Sequence, residues 1–150
     1  MKNYDPKTAA RVWDRVQNAA VPLGDSQMIL NLITEEAVDA ATYLQLSKRL
    51  PMPAAAAMKQ LAQQEQAHIT CLKGIYTMIT GEKAKFLPPK VADDPPDIVL
   101  RRCYGREMRA LAHYEAQQSD PQYGHVYRTM VRQEQEHCHK LLEILGMLNK

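Results

Sequence analysis

The chain of 150 residues contains no apolar run near the roughly 18 uncharged residues that a membrane-spanning helix needs. It has only six glycines, none arranged as a phosphate-binding loop, so nothing indicates a nucleotide site. Its three cysteines form no C-x-x-C pair, which argues against a zinc ribbon or a rubredoxin-type iron site. The chemistry of this chain must therefore come from other side chains.

The chain also lacks an excess of charge of one sign, with 19 basic and 17 acidic residues. The formal net charge is only +2, and lysine and arginine are spread along the chain, so we expect no nucleic-acid partner. The first residues lack the apolar segment of a secretion signal, so a soluble cytoplasmic protein without a membrane partner is expected. Cys71, Cys103 and Cys138 are far apart and are predicted to be buried or half-buried thiols.

Proline, glycine and aspartate mark the ends of five predicted helices, and no alternating strand pattern competes with them. We therefore predict an all-α fold, an antiparallel four-helix bundle with an extra N-terminal helix, in a single domain spanning 1–150. The predicted helices cover about 6–20 and 25–49, the segment from the turn at 50–53 to about Thr80, the segment from Asp94-Pro95 to the turn at 119–120, and the segment from Asp120-Pro121 almost to Lys150. The bundle itself spans 25–148.

The connections between the helices predict the topology. Short turns near 50–53 and 119–120 favour two antiparallel helix hairpins. The linker 81–93 between them can stretch to about 43 Å at ~3.3 Å per residue. A bundle helix of some 24 residues is only about 36 Å long at ~1.5 Å per residue. The linker can therefore cross the full length of the bundle and join the two hairpins.

One pattern of glutamate, tyrosine, glutamate and histidine occurs twice. In each copy the tyrosine follows the first glutamate by seven residues and the histidine follows the second glutamate by three, so each pair shares a helix face. The two copies are Glu36, Tyr43, Glu65, His68 and Glu107, Tyr114, Glu134, His137. Four helices would then direct four carboxylates and two imidazoles at a common axis, which is the ligand set of di-iron and di-manganese carboxylate bundles.

Each helix also carries alternative acidic residues, and the apolar stripe of the helix distinguishes them. Glu134 and His137 share a face with Tyr127, Met130 and Leu141, so this pair is predicted to face the bundle axis. The corresponding stripes of the other helices include Glu36, Glu65, His68 and Glu107. Positions away from the stripes are predicted for Glu35, Glu115, Glu136 and His139.

Four carboxylates in one small bundle require a counter-charge. A buried carboxylate without a partner costs several kcal/mol even after relaxation. Two divalent cations would balance the four glutamates, and oxygen and nitrogen ligands suit iron or manganese rather than copper(I) or an iron–sulfur cluster. We expect two iron ions, with manganese or a mixed manganese–iron pair as the alternative. Tyr43 and Tyr114 are predicted to hydrogen-bond ligand carboxylates.

On these residues, the segment of about 25–148 resembles the ferritin-like superfamily, and within it the di-iron domain of rubrerythrins. The resemblance implies a non-haem di-iron centre with Glu36, Glu65, His68, Glu107, Glu134 and His137 as ligands. It implies that Glu65 and either Glu107 or Glu134 bridge the metals, and that His68 and His137 each bind one metal. The chain departs from the family at Ala110, where rubrerythrins carry a second carboxylate that takes part in redox-linked rearrangement.

The implied activity is that of an oxidoreductase that reduces hydrogen peroxide or dioxygen. Rubrerythrins also carry a rubredoxin-type domain, which residues 1–150 do not contain, so an external electron donor is expected. The alternative function is iron binding and storage with a ferroxidase-type site. The predicted helix 6–20 has an apolar stripe around Trp13 that needs a partner surface, so we expect a homodimer or another small homo-oligomer.

Overall fold

The computed structural model describes residues 23–149, which form four α-helices and contain no β-strand. The predicted all-α four-helix bundle is thereby confirmed, whereas the predicted helix over 6–20 lies outside the described residues. No helix of the described part combines the length and the hydropathy of a membrane span. The helices are α1 (Leu23–Arg49), α2 (Ala54–Thr80), α3 (Pro96–Gln117) and α4 (Gly124–Leu148).

Three of the four helices lie within about two residues of their predicted bounds. Pro51 and Pro53 follow α1 and cannot continue its hydrogen-bond ladder, because proline has no backbone N–H. Gly81 ends α2 in the left-handed conformation, with φ of 73°, and its N–H donates to the carbonyl of Thr77. Pro96 occupies the first turn of α3, where a missing N–H costs nothing.

The start of the last helix differs from the prediction. The Asp120 carboxylate accepts hydrogen bonds from the backbone N–H groups of Gln122 and Tyr123, each at 2.8 Å. This side chain therefore stabilises a turn over 121–123, and the α-helix begins at Gly124. A sequence pattern of Asp-Pro does not distinguish an aspartate that caps a helix from one that caps a turn.

Gly124 lies where the backbone of this turn passes close to the helix. A Cβ at Gly124 would lie 2.5 Å from the carbonyl oxygen of Gln118. We expect Gly124→Ala to destabilise the fold by about 1–3 kcal/mol, since the turn would have to move. In a chain of this size each kcal/mol lowers the unfolding midpoint by about 2–4 °C. Thermal unfolding followed by circular dichroism measures this shift.

Gly146, in the same helix, is the matched control. It is exposed, and nothing lies within 4 Å of the position that its Cβ would take. Gly146→Ala should stabilise the helix by up to ~1 kcal/mol, because alanine is the better helix former. Equal effects of the two substitutions would contradict the close approach at Gly124.

The order of the helices in space follows from one contact between the hairpins. The Arg49 side chain, at the end of α1, donates a 2.8 Å hydrogen bond to the carbonyl of Asp94, just before α3. The start of α3 therefore lies beside the end of α1, at the far end of the bundle from Thr80. The segment 81–95 crosses the length of the bundle, as predicted. In the resulting arrangement α1 packs against α2 and α3, and α4 packs against α3 and α2.

Two apolar clusters fill the bundle, one towards each end. The first contains residues from the start of α1 and α4 and the end of α2 and α3, among them Ile33, Leu72 and Met130. The second contains residues from the opposite halves of the helices, among them Leu46 and Leu100. The repeated glutamates and histidines lie between the two clusters, so both ends of this polar layer are closed by apolar side chains.

Candidate metal centre

Six side chains of the repeated pattern meet in the middle of the bundle, and all six are buried. Their exposed fractions are at most 2%. The residues are Glu36 on α1, Glu65 and His68 on α2, Glu107 on α3, and Glu134 and His137 on α4. The alternatives on the same helices do not enter the core, because Glu115, Glu136 and His139 are exposed and Glu35 is half-buried. The apolar stripes therefore predicted the orientation correctly, while the role of the six residues as ligands stays a prediction.

The six residues form two overlapping groups. One group contains Glu36, Glu65, His68 and Glu134, and the other contains Glu65, Glu107, Glu134 and His137. Within each group, one ligand atom from every residue lies within 4.8 Å of the others. Glu65 and Glu134 belong to both groups, so these two carboxylates lie where bridging ligands between two metals would lie.

The imidazole Nδ1 atoms point at the carboxylates of facing helices. His68 Nδ1 lies 2.8 Å from Glu134 Oε1 and 3.4 Å from Glu36 Oε2. His137 Nδ1 lies 2.7 Å from Glu65 Oε1 and 3.6 Å from Glu107 Oε1. The contacts at 2.8 and 2.7 Å lack hydrogen-bond geometry, so both Nδ1 atoms remain without a hydrogen-bond partner among the described residues. Nitrogen and oxygen atoms thus converge on shared space rather than pairing with each other.

The fit of a metal to this centre rests on its unpaired atoms. Eight buried side-chain nitrogen and oxygen atoms of the six residues have no hydrogen-bond partner within the described part of the chain, including both oxygens of Glu65 and of Glu134. Buried polar groups are normally hydrogen-bonded or bound to metal, and each exception requires a cause. Two divalent cations would satisfy these atoms and neutralise the four carboxylates. The residues present therefore fit a dinuclear metal site.

Electrostatics without a metal leads to the same conclusion. Burial and the charge of Glu65 raise the pKa of Glu134 to about 7. Burial opposes the charged form of His68, but the contacts with Glu134 and Glu65 outweigh it and raise the pKa of this imidazole to about 10. Protons thus take the place of the missing positive charge, and metal binding must release them.

Two tyrosines hold the two carboxylates that belong to one group each. Tyr43 donates a 2.6 Å hydrogen bond to Glu107 Oε1, and Tyr114 donates a 2.9 Å hydrogen bond to Glu36 Oε1. Each bond crosses between α1 and α3, so the pair is reciprocal. Burial raises the pKa of both phenols well above the usual value, which keeps their protons available for donation. Both hydroxyls thus donate to carboxylates of the candidate ligand set, each on the facing helix.

Two glutamines complete the surroundings of the histidines, and sequence reasoning missed both. The Gln133 amide oxygen lies 2.6 Å from His68 Nε2, and the Gln64 amide oxygen lies 2.6 Å from His137 Nε2. An amide oxygen only accepts, so each Nε2 carries a proton and each Nδ1 faces the carboxylates. The available signal was a glutamine directly before the second glutamate in both copies of the pattern.

Removing one of these amides tests its role in orienting an imidazole. We expect Gln64→Leu to weaken metal binding by about 10–100-fold, since the loss of a partner that orients a ligand commonly has this effect. Gln63→Leu is the control, because Gln63 is exposed on the same helix. A competition titration with a chromophoric chelator measures both variants. Unchanged affinity of Gln64→Leu would mean that packing alone orients His137.

A buried ion pair beside the centre was also missed. Asp39 is 2% exposed and accepts a 2.6 Å hydrogen bond from Arg106 Nε. Burial outweighs the attraction of Arg106 and raises the pKa of Asp39 to about 6. Arg106 Nη2 also lies 3.3 Å from the Cys103 sulfur. Asp39 lies on the apolar side of α1, but a lone aspartate at such a position gives no signal of its partner on another helix.

The cysteines and remaining histidines take no part in the two groups. Cys103 and Cys138 are buried as predicted, whereas the prediction was wrong for Cys71, which is exposed on α2. His113 and His125 are exposed, like His139. Ala110 stands where the resemblance would place a second carboxylate on α3. It is 3% exposed and packs in the first apolar cluster.

The helices and the buried glutamate–histidine layer define the class of the protein as a four-helix bundle with a candidate dinuclear carboxylate site. A family model described as Rubrerythrin matches residues 29–137. The chain therefore belongs to the rubrerythrin family, and the match includes all six candidate ligands. Neither the curated proteins nor the solved structures with which the chain was compared gave a match. Family and site together indicate a di-iron carboxylate type of metal-binding protein.

Proposed function

We propose that this chain is a non-haem di-iron oxidoreductase that reduces hydrogen peroxide or dioxygen with electrons from an external donor. The observation that supports the proposal most strongly is the buried layer of four carboxylates and two imidazoles with eight unpaired atoms. Without metal, this layer has only protons to balance four buried carboxylates and leaves its polar atoms unpaired, an arrangement that proteins normally avoid. Membership of the rubrerythrin family favours iron over manganese.

The two overlapping groups support a specific assignment of ligands. Glu36 and His68 would hold one iron, Glu107 and His137 the other, and Glu65 and Glu134 would bridge both. Sequence resemblance left Glu107 or Glu134 open as the second bridge. Glu134 is favoured because it lies in both groups, while Glu107 lies in one and is held by Tyr43.

The chemistry divides between the metal and the chain. When bound, iron supplies one electron per ion to an oxygen-containing substrate. The four glutamates would balance the positive charge of the two irons. The two apolar clusters on either side limit access of water to the layer. Tyr43 and Tyr114 keep the Glu107 and Glu36 carboxylates in place and retain their phenolic protons. Pre-positioned ligands of this kind reduce the reorganisation that the reaction requires.

Single-turnover kinetics tests the proposed activity. The reduced protein should consume about one equivalent of peroxide per two irons rapidly, since each iron gives one electron. Sustained turnover should require an added reductant. Glu134→Gln should lose the reaction, whereas Glu136→Gln, with its exposed position two residues further on, should retain it. Stopped-flow absorbance after anaerobic reduction measures all three proteins.

The other outcomes separate the alternatives. Loading of iron far beyond two per chain into a hollow assembly would favour iron storage. Retention of manganese that iron does not displace would favour a manganese or mixed-metal site. Reduced, iron-loaded protein that is inert to both peroxide and dioxygen would refute the oxidoreductase proposal.

We also propose that the protein forms a homodimer or another small homo-oligomer. The support is the apolar stripe around Trp13, which lies outside the described residues. Light scattering of the full chain measures the native mass. A monomer would refute the oligomer, and Trp13→Ser should shift the mass towards the monomer if the stripe forms the interface.

A further inference from the structure

A second polar site is lined by Arg106 and lies between α1, the crossing segment and α3. It is a pocket of about 100 Å³, well above the ~10–15 Å³ that holds a single water molecule. This volume suits a small ion of four or five heavy atoms. We call it the basic pocket, and it is lined by Val38, Thr42, Lys90, Ala92, Val99, Arg102 and Arg106.

Three of the described residues that line the basic pocket are cationic and none is acidic. Lys90 is exposed and has no hydrogen-bond or ion-pair partner among the described residues. Arg102 pairs with Asp94 at 2.7 Å, but both side chains are about half exposed, so solvent screens this pair and a ligand can compete for the guanidinium. In the described part of the chain, these three positive charges thus form ion pairs with only two carboxylates, Asp94 and the buried Asp39.

The rest of the pocket lining offers few polar partners, so the charge of a ligand should determine whether it binds. The side chains of Val38, Ala92 and Val99 are apolar, and the Thr42 hydroxyl already donates to the Val38 carbonyl at 2.6 Å. A neutral polar ligand would therefore find few partners here. An anion would face two planar guanidinium groups and one ammonium group, which suit the oxygens of a carboxylate or phosphate group.

We propose that the basic pocket binds a small oxyanion, with a phosphate or a carboxylate group as the recognised chemistry. None of its lining residues is a candidate metal ligand, so the proposal does not depend on the proposed oxidoreductase activity. Arg106 forms a wall of the pocket and also donates a hydrogen bond to the buried Asp39. Bound oxyanion would share this guanidinium with the Asp39 carboxylate.

Isothermal titration calorimetry at low ionic strength tests the proposal. The chain of 150 residues, as purified, is titrated with inorganic phosphate and, separately, with acetate. We expect one saturable site per chain for at least one of the two anions, and the stronger of them identifies the group. The double variant Lys90→Gln, Arg102→Gln should weaken this binding at least ten-fold. Arg106 is left unchanged, because its removal would leave the Asp39 carboxylate buried without a partner.

The matched control is Lys85→Gln, Arg101→Gln. It removes the same two charges from the same two segments at exposed positions that do not line the pocket. Its affinity should stay within about two-fold of the parent, with melting temperatures recorded for every variant. Absence of saturable binding of both anions would overturn the proposal. So would equal weakening in both double variants, which indicates general charge attraction, or full binding in the pocket variant, which places the anion elsewhere.

Discussion

His137→Ala is expected to lower the metal content of iron-loaded protein from about two ions per chain towards one. His137 is fully buried, and its Nδ1 atom points at Glu65 and Glu107 without a hydrogen-bond partner among the described residues. Loss of this nitrogen should lower the affinity for the metal ion on the Glu107 side at least ten-fold. Even the removal of a residue that only orients a ligand commonly has that effect. The group around His68 keeps all its atoms and should still bind.

The control for this experiment lies two residues further along α4. His139 is exposed and belongs to the same helix, so His139→Ala tests for general effects of losing an imidazole. Elemental analysis after reconstitution and desalting, together with a chelator competition, measures occupancy and affinity. If His139→Ala released more metal than His137→Ala, the assignment of the inward face of α4 would be incorrect.

Metal binding is also expected to stabilise the fold strongly. A ligand that binds only the folded state at 1,000 times its dissociation constant adds ~4.1 kcal/mol, so two sites add about 8 kcal/mol. For a chain of this length, each kcal/mol raises the unfolding midpoint by about 2–4 °C. The midpoint should therefore rise by at least about 15 °C when excess iron(II) is added to chelator-treated protein under anaerobic conditions. Differential scanning calorimetry measures the shift.

The physical reason lies in the buried layer between the two apolar clusters. Without metal, burial disfavours the charged form of Glu134, and its pKa rises to about 7. Metal replaces this unfavourable arrangement by direct bonds to the unpaired oxygens. His137→Ala should show a much smaller rise of the midpoint, while His139→Ala should show the full rise. A metal-independent midpoint in the parent protein would mean that the layer is stable through its protons alone.

Most of the fold could be predicted from residues that act locally. Pro51, Gly81 and Pro96 mark helix ends through backbone geometry, which depends on the residue itself. The start of α4 was predicted too early, because the Asp120 carboxylate caps a turn rather than the helix. The single domain over 1–150, the helix over 6–20 and the oligomer stay predictions.

Part of the centre could be predicted for a similar reason. Apolar stripes repeat with the helical period, so a glutamate on the stripe must enter the core, and Glu134 does so while Glu136 does not. Partners on other helices could not be predicted in this way. Nothing in the sequence pairs Gln64 with His137, or Asp39 with Arg106, because these contacts depend on how the helices are rotated and offset against each other.

The sequence by itself determined the helices, their inward faces and the set of six buried polar side chains, because helical periodicity and end signals act over a few residues. The tertiary structure decided which of these side chains share a space. It placed Glu65 and Glu134 in both ligand groups and the Tyr43 hydroxyl on Glu107. It also brought Lys90 of the crossing segment beside Arg102 and Arg106 of α3. Such contacts join residues far apart in the chain, and only the packing of one helix against another sets their distances.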